Sequence, residues 1–438
     1  MPASPFDSQI YRELFGDAEV ARLFSDSAEI RALMLVEGAL ALVQGRLGLI
    51  PETAGAYLHR SAMELQVDPG GLAAETGRSA VVVPALVSAM RAAGQAPEHM
   101  QYLHWGATSQ DIMETGQMLR MRQALAILEG RIVGLARVLG RVAAEHAETP
   151  MAARTYGQAA VPTSYGAVAA GWGAPLLRHL ERLAEMRPRL LVVSLSGAAG
   201  TLSAMGDKGP EARAGLAAEL GLGDPGASWH AQRDRIGELA GWLAGVLGSL
   251  GKLGEDMLIL TQSGVGEVRL SAGGGSSTMP QKVNPVLPSV LVALARHGAT
   301  LAGGLLGAAL HRQQRDGAAW FVEWLELPQL VLACGRALDA ASELIATASP
   351  VPERMAELLA SDGGAIHAEA LSFALAARMP RPEAQAAVKA LAAEARGSGG
   401  DLIALARARW PDIALPEAAL LGTAPDEARD FARRTAAL

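Results

Sequence analysis

Apolar residues along this chain recur at intervals of three and four rather than in alternation, and alanine and leucine fill most of the positions between them. The pattern predicts an almost wholly α-helical protein, because both residues favour helix and the β-branched alternation of strands is scarce. From about 28 to 47, Ile30, Leu33, Met34, Leu40, Ala41 and Leu47 trace one face, interrupted at Glu37 and closed by Gly48 and Pro51. Shorter helical pieces follow to about 100, broken at Pro69-Gly70-Gly71, Pro84 and Pro97. Long periodic runs then occupy about 115–148, 163–187, 229–262, 285–311 and 320–348. In the third run, the apolar spacing from Ile236 to Met257 holds for about six turns, the length of a bundle helix.

The run from Leu291 to Leu310 sets Gly298, Ala299, Ala302, Gly303 and Gly304 among its leucines and valines, so it is apolar on more than one face. Such a helix has to be covered on all sides, and subunit association supplies the cover most simply. An obligate oligomer is expected. Pro350 and Pro352 then break the chain before a last set of short helices. The division is therefore an N-terminal helical domain (1–107), a central long-helix bundle forming the oligomer core (108–350) and a C-terminal helical domain (351–438).

Composition narrows the partners. A net charge of -7 over 438 residues argues against nucleic acid or an anionic membrane surface, so positive charge for an anionic ligand has to be local. The single cysteine, Cys334, rules out an intramolecular disulfide and a cysteine metal cluster, and suits a reducing cytoplasm. The nine histidines contain no His-x-x-x-His pair, so no protein metal site is expected; no cofactor is expected either. Residues 1–15 lack the apolar core of a signal peptide. The uncharged stretch from Thr155 to Leu177 holds Gln158, Pro162, Ser164 and Pro175 and reads as a helix buried among helices, not a membrane span.

Three stretches carry chemistry. The first runs from Gly273 to Pro285, with three glycines, Ser276, Ser277 and Lys282. Its glycines allow a lid that exposes backbone N–H groups, and Asn284-Pro285 reads as a helix start, with Asn284 as N-cap, that favours an anion. The second is His104-Trp105-Gly106-Ala107-Thr108-Ser109-Gln110-Asp111, where Thr108 and Asp111 have the spacing of a capping box and the hydroxyls of Thr108 and Ser109 suit a carboxylate. The third, around Arg154-Thr155-Tyr156-Gly157-Gln158, offers Arg154 for the same purpose.

The string Gly275-Ser276-Ser277-Thr278-Met279-Pro280-Gln281-Lys282-Val283-Asn284-Pro285 resembles, at every fixed position, the signature Gly-Ser-Ser-x-Met-Pro-x-Lys-x-Asn-Pro of the fumarase/aspartase superfamily. The resemblance implies a helical homotetramer whose sites draw on more than one subunit. It also implies that Ser276 is the base of the elimination direction, supported by Lys282. Thr108, Ser109, Arg154, Gln158, Gln232, Asn284 and Arg315 then become substrate-binding candidates, and His104 stands where adenylosuccinate lyase carries a histidine.

The match breaks where many members hold a proton-handling histidine, since Tyr156 stands there, and Thr76-Gly77-Arg78-Ser79 replaces a second histidine-bearing segment. An amine or a hydroxyl leaves slowly without a general acid, whereas a carboxylate leaves or attacks as a stable anion. The chain accordingly resembles the lactonising subgroup of the superfamily, over matching stretches that include Trp229-His230-Ala231-Gln232-Arg233-Asp234-Arg235 and Glu323-Trp324-Leu325-Glu326-Leu327-Pro328. The function this implies is ring closure of 3-carboxy-cis,cis-muconate on one of its own carboxylates. Fumarate-releasing lyases are the enzymatic alternative, disfavoured by Tyr156 and by the apolar Ala319-Trp320-Phe321 after Arg315, and an inactive structural relative is the non-enzymatic one. Arg315 is a carboxylate clamp or a solvated surface residue. Arg233 and Arg235 are either substrate contacts or partners of Asp234 and Glu238, and His146 and His230 read as ordinary helix or loop residues.

Overall fold

A computed structural model describes residues 4–271, 274–275, 279, 282–413 and 421–438. It divides into two compact units: Met1–Arg131 with His179–Gly248 and Leu294–Ala337, and Ile132–Arg178 with Ser249–Ala293 and Leu338–Leu438. The five long periodic runs become the helices Ser109–Glu145, Tyr165–Leu190, Asp234–Leu260, Val286–Gly307 and Gly317–Thr347. The all-helical expectation holds, and among the described residues strand is confined to three two-stranded ribbons. By length and composition alone Val286–Gly307 would also cross a membrane, a test that the core helix of a bundle passes equally.

In the first unit, helix Asp26–Arg46 starts at the N-cap Ser25, whose hydroxyl accepts the Ala28 N–H at 3.3 Å, and it packs on helix Glu52–Glu64. The two approach closely because glycines face each other. A Cβ on Gly55 would meet the Ala41 carbonyl oxygen at 2.6 Å, and one on Gly38 would meet the Ala62 Cβ at 2.7 Å. Leu33, Leu58, Leu86, Met90, Leu103, Ile112 and Val193 close the core around this pair. Helix Gly317–Thr347 is capped by Asp316, whose Oδ1 accepts the N–H groups of Ala318 and Ala319 at 3.1 and 3.4 Å. Hydrogen bonds from Arg312 hold the Asp316 carboxyl well below the usual carboxylate range.

In the second unit, Pro150–Thr155 and Gln158–Ser164 form an antiparallel hairpin, a departure from the helical pattern. Its turn residues Tyr156 and Gly157 both take positive φ, 51° and 74°, as a two-residue type I′ turn requires. A second correction concerns Asn284. It lies in the short strand Val283–Asn284 paired with Gly274–Gly275, and the helix begins at Val286, with the Pro285 carbonyl accepting the Ser289 N–H at 3.2 Å. The residue before a proline is pushed to extended backbone, which displaces the helix start by one position. Around Leu371, Leu375, Val388, Leu391 and Leu402 this unit holds a separate small core.

Because the Gly55 contact is with backbone, which cannot rotate away, Gly55→Ala should destabilise the protein by roughly 1–3 kcal/mol. A urea or thermal melt checks this, and an unchanged midpoint would contradict the close approach.

Candidate active site

Within the first unit the site is organised by the start of helix Ser109–Glu145. Asp111 is fully buried, and its Oδ2 accepts the Thr108 N–H at 3.0 Å, the capping arrangement the sequence predicts. The same carboxylate accepts the Ser196 N–H at 2.8 Å, the Gly197 N–H at 2.9 Å and a bond from His230 Nε2 at 2.8 Å. Four donors thus replace the water a buried anion has lost. His230 is therefore not an ordinary loop residue. It is 2% exposed, its proton on Nε2 satisfies Asp111, and its Nδ1 has no partner among the described residues. Local pattern could not reveal the pair, since 119 residues separate its members.

Behind Asp111 lies a buried charge group. Arg233, its side chain 1% exposed, donates to Glu323 through Nε at 2.8 Å and Nη2 at 2.5 Å, and to Glu114 through Nη1 at 2.6 Å. This replaces the expected pairing with Asp234 and Glu238: Glu238 takes Arg189, and Arg235 donates to the Arg189 carbonyl at 2.8 Å. Glu114 also accepts from Gln110 Nε2 at 2.8 Å and Ser194 Oγ at 3.1 Å. Burial pushes the Glu114 carboxyl up, and Arg233 offsets this only in part. His311, 3.8 Å from Glu323, is pushed down by burial and by Arg233, so it adds no charge near neutrality.

Arg315 faces solvent but is not free. Its Nε donates to Gln110 Oε1 at 2.6 Å, and its Nη2 reaches Thr108 Oγ1 at 3.4 Å and the Ala198 carbonyl at 3.3 Å. The guanidinium therefore meets the Thr108 hydroxyl at the helix start, next to half-buried Ser109, and a helix start with a cation beside it favours an anion. Gln232 is exposed on the turn that carries His230.

His104, just before this helix, takes a left-handed φ of 65°, strained for a residue with a Cβ. Its Nδ1 sits 2.6 Å from Glu37 Oε1, a carboxylate with no exposed side-chain surface, while the imidazole stays 21% exposed. Burial pulls the His104 pKa down, but the Glu37 charge and hydrogen bond, with Asp111, outweigh it, and the net displacement is upward. Glu37 escaped the sequence reading as a functional residue, although it was visible as the charged break in the apolar face of its helix.

The second unit carries the other candidates. Arg154 Nη1 donates to Glu267 Oε2 at 2.7 Å, and Glu267 is itself buried and anchored by the Val351 N–H to its carbonyl at 2.9 Å. Arg154 lines an open cleft of about 1290 Å³ with Trp172, Lys252, Asp256 and His367. Gln158 is exposed on the hairpin, and Tyr156 at its tip is fully exposed, with 105% relative accessibility. Lys282 is exposed and Asn284 half-buried, whereas Ser276 and Ser277 lie outside the described residues. Among the described residues no group of three His, Cys, Asp or Glu side chains is placed to hold a metal ion.

Glu37→Gln should lower the His104 pKa, because the ring loses the ionic partner that raises it. Carbon-detected NMR titration of the ring checks this, and an unmoved midpoint would contradict the pairing. The sign for stability follows from a folded pKa above the unfolded value of about 6.5. The pair stabilises the fold fully below that unfolded value, and the contribution is lost as pH rises through the folded one.

The profile of the lyase family matches residues 26–297. A curated relative, the 3-carboxy-cis,cis-muconate cycloisomerase of Pseudomonas aeruginosa, is 41% identical over 86% of this chain and 83% of its own length. Two solved structures superpose closely. The 3-carboxy-cis,cis-muconate lactonizing enzyme of Pseudomonas putida has a TM-score of 0.89 at 33% identity, covering 98% of this chain and 100% of its own. The fumarate lyase of Mesorhizobium sp. BNC1 has a TM-score of 0.88 at 35% identity, covering 96% and 98%. The chain belongs to the lyase family within the fumarase/aspartase superfamily.

Proposed function

We propose that the protein is a 3-carboxy-cis,cis-muconate cycloisomerase, closing 4-carboxymuconolactone in the breakdown of protocatechuate. The observation that carries this is the 41% identity with the Pseudomonas aeruginosa enzyme of that name over most of both chains. It agrees with the chemistry of Tyr156, which stands at a hairpin tip where fumarate-releasing relatives place a general-acid histidine. A carboxylate nucleophile needs no such acid.

In the reaction one substrate carboxylate oxygen bonds to a ring-closing alkene carbon, and the π pair moves to the neighbouring carbon. That pair is delocalised into another carboxylate as an aci form, and a proton added to the carbon completes an isomerisation with no atom lost. Thr108, Ser109 and Arg315 take one carboxylate at the helix start, and Arg154, Gln158, Gln232 and Asn284 hold the rest of the substrate. His104, its pKa raised by Glu37, holds a proton more readily than a free imidazole. Ser276 returns the proton, and Lys282 stabilises both its alkoxide and the aci-carboxylate. The enzyme works as a cytoplasmic homotetramer, its sites completed by neighbouring subunits, with Val286–Gly307 covered in the assembly.

The test follows muconate ultraviolet absorbance, with adenylosuccinate and argininosuccinate as controls. Turnover of the muconate alone is expected, and turnover of either control without it would overturn the reading. Ser276→Ala should cost roughly 10²–10⁴-fold in kcat, the range for a lost proton-transfer group, and Ser277→Ala less. Equal losses would undo the assignment of the proton to Ser276. Tyr156→His should not produce efficient fumarate release.

A further inference from the structure

One buried cation in the first unit plays no part in the site above. On helix Ser109–Glu145, Met113, Gln117 and Arg120 follow one another at helical spacing, and across from them Trp320 and Trp324 do the same on helix Gly317–Thr347. With Phe24, Val82 and Pro328 they line a partly open cavity of about 230 Å³. Trp320 is 3% exposed, and the two indoles meet edge to face at 4.7 Å.

Arg120 lies in the wall of this cavity with its side chain only 11% exposed, and its Nε–H has no acceptor among the described residues. The nearest carboxylate, Glu29, is 3.6 Å away, beyond hydrogen-bond range, and is itself 34% exposed. The guanidinium also sits 5.8 Å from the centre of the Phe24 ring. Burial pushes its pKa down and Glu29 offsets that only in part, the mark of a charge short of partners. A buried cation in this condition favours an anion, and an arginine edge matches a carboxylate through two parallel hydrogen bonds. Phe24, Trp320 and Trp324 present ring faces and edges that suit a flat apolar body.

We propose that this cavity is a binding site for a small aromatic monocarboxylate. Its size falls below the range of about 300–1,000 Å³ typical of drug-sized ligands, which limits the occupant to roughly a single ring. Glu29 on the same wall offsets part of the Arg120 charge, so the site has positive charge for one carboxylate and not for a polycarboxylate of the kind taken at the Thr108 corner. The inference stands whichever reaction the enzyme catalyses.

Benzoate, titrated calorimetrically into the full-length protein, is the probe. Saturable binding is expected, at least tenfold weaker for the neutral benzamide, at least tenfold weaker in Arg120→Leu, and abolished in Val82→Phe, which fills the cavity. Lys282→Ala should bind benzoate as the unsubstituted protein does. The proposal is overturned by the absence of saturable binding, by equal affinity for benzamide, by unchanged affinity in folded Arg120→Leu and Val82→Phe, or by loss of binding in Lys282→Ala, which would put the ligand in the substrate site. Circular dichroism establishes that each variant is folded, and the benzamide comparison needs no variant at all.

Discussion

A carboxylate with no exposed surface is costly unless every lone pair is engaged, and Asp111 meets that condition with four donors from three parts of the chain. Because it is the third residue of a long helix, the same bonds that satisfy it fix where that helix begins. They also hold the 196–197 loop and His230 against the helix start. Thr108, Ser109 and, through Gln110, Arg315 then have one place to be. An anion-binding corner made of short side chains works only with such support, since a hydroxyl or an N–H displaced by an ångström no longer bonds.

The charges around Asp111 are arranged in depth. Arg233 is paired with both Glu323 and Glu114, so its charge is compensated within the group behind the corner. Arg315 is exposed at this corner, and His104 is paired with Glu37. A chain of net charge -7 thus keeps its buried ions paired with one another and leaves Arg315 exposed at this corner. The strained backbone at His104 fits the same economy, because the fold holds an unfavourable φ in order to place the imidazole on Glu37.

The long helices were legible because each covers many periods of a three-four pattern, and Thr108 with Asp111 was legible because a capping box is local. The hairpin at 150–164 was not, since Ala152, Ala153, Ala159 and Ala160 are helix formers and Tyr156 is an unusual residue for a positive φ. The family signature named the site candidates but not their supports. His230, and the Glu114 and Glu323 partners of Arg233, meet across 90 or more residues, beyond any local periodicity. Glu37 was the exception: a charge on an apolar helix face announces a buried partner, here His104.

The buried Asp111 carboxylate holds the anion-favouring corner in place. Asp111→Asn tests it most directly, because the amide keeps the shape but turns an N–H toward donors that need an acceptor. The account predicts a fall in kcat/KM for the muconate of roughly 10- to 100-fold, the equivalent of one charge-assisted hydrogen bond of about 1.5–3 kcal/mol, in a protein that keeps its helical circular dichroism. A folded Asp111→Asn enzyme with unchanged kcat/KM would contradict it.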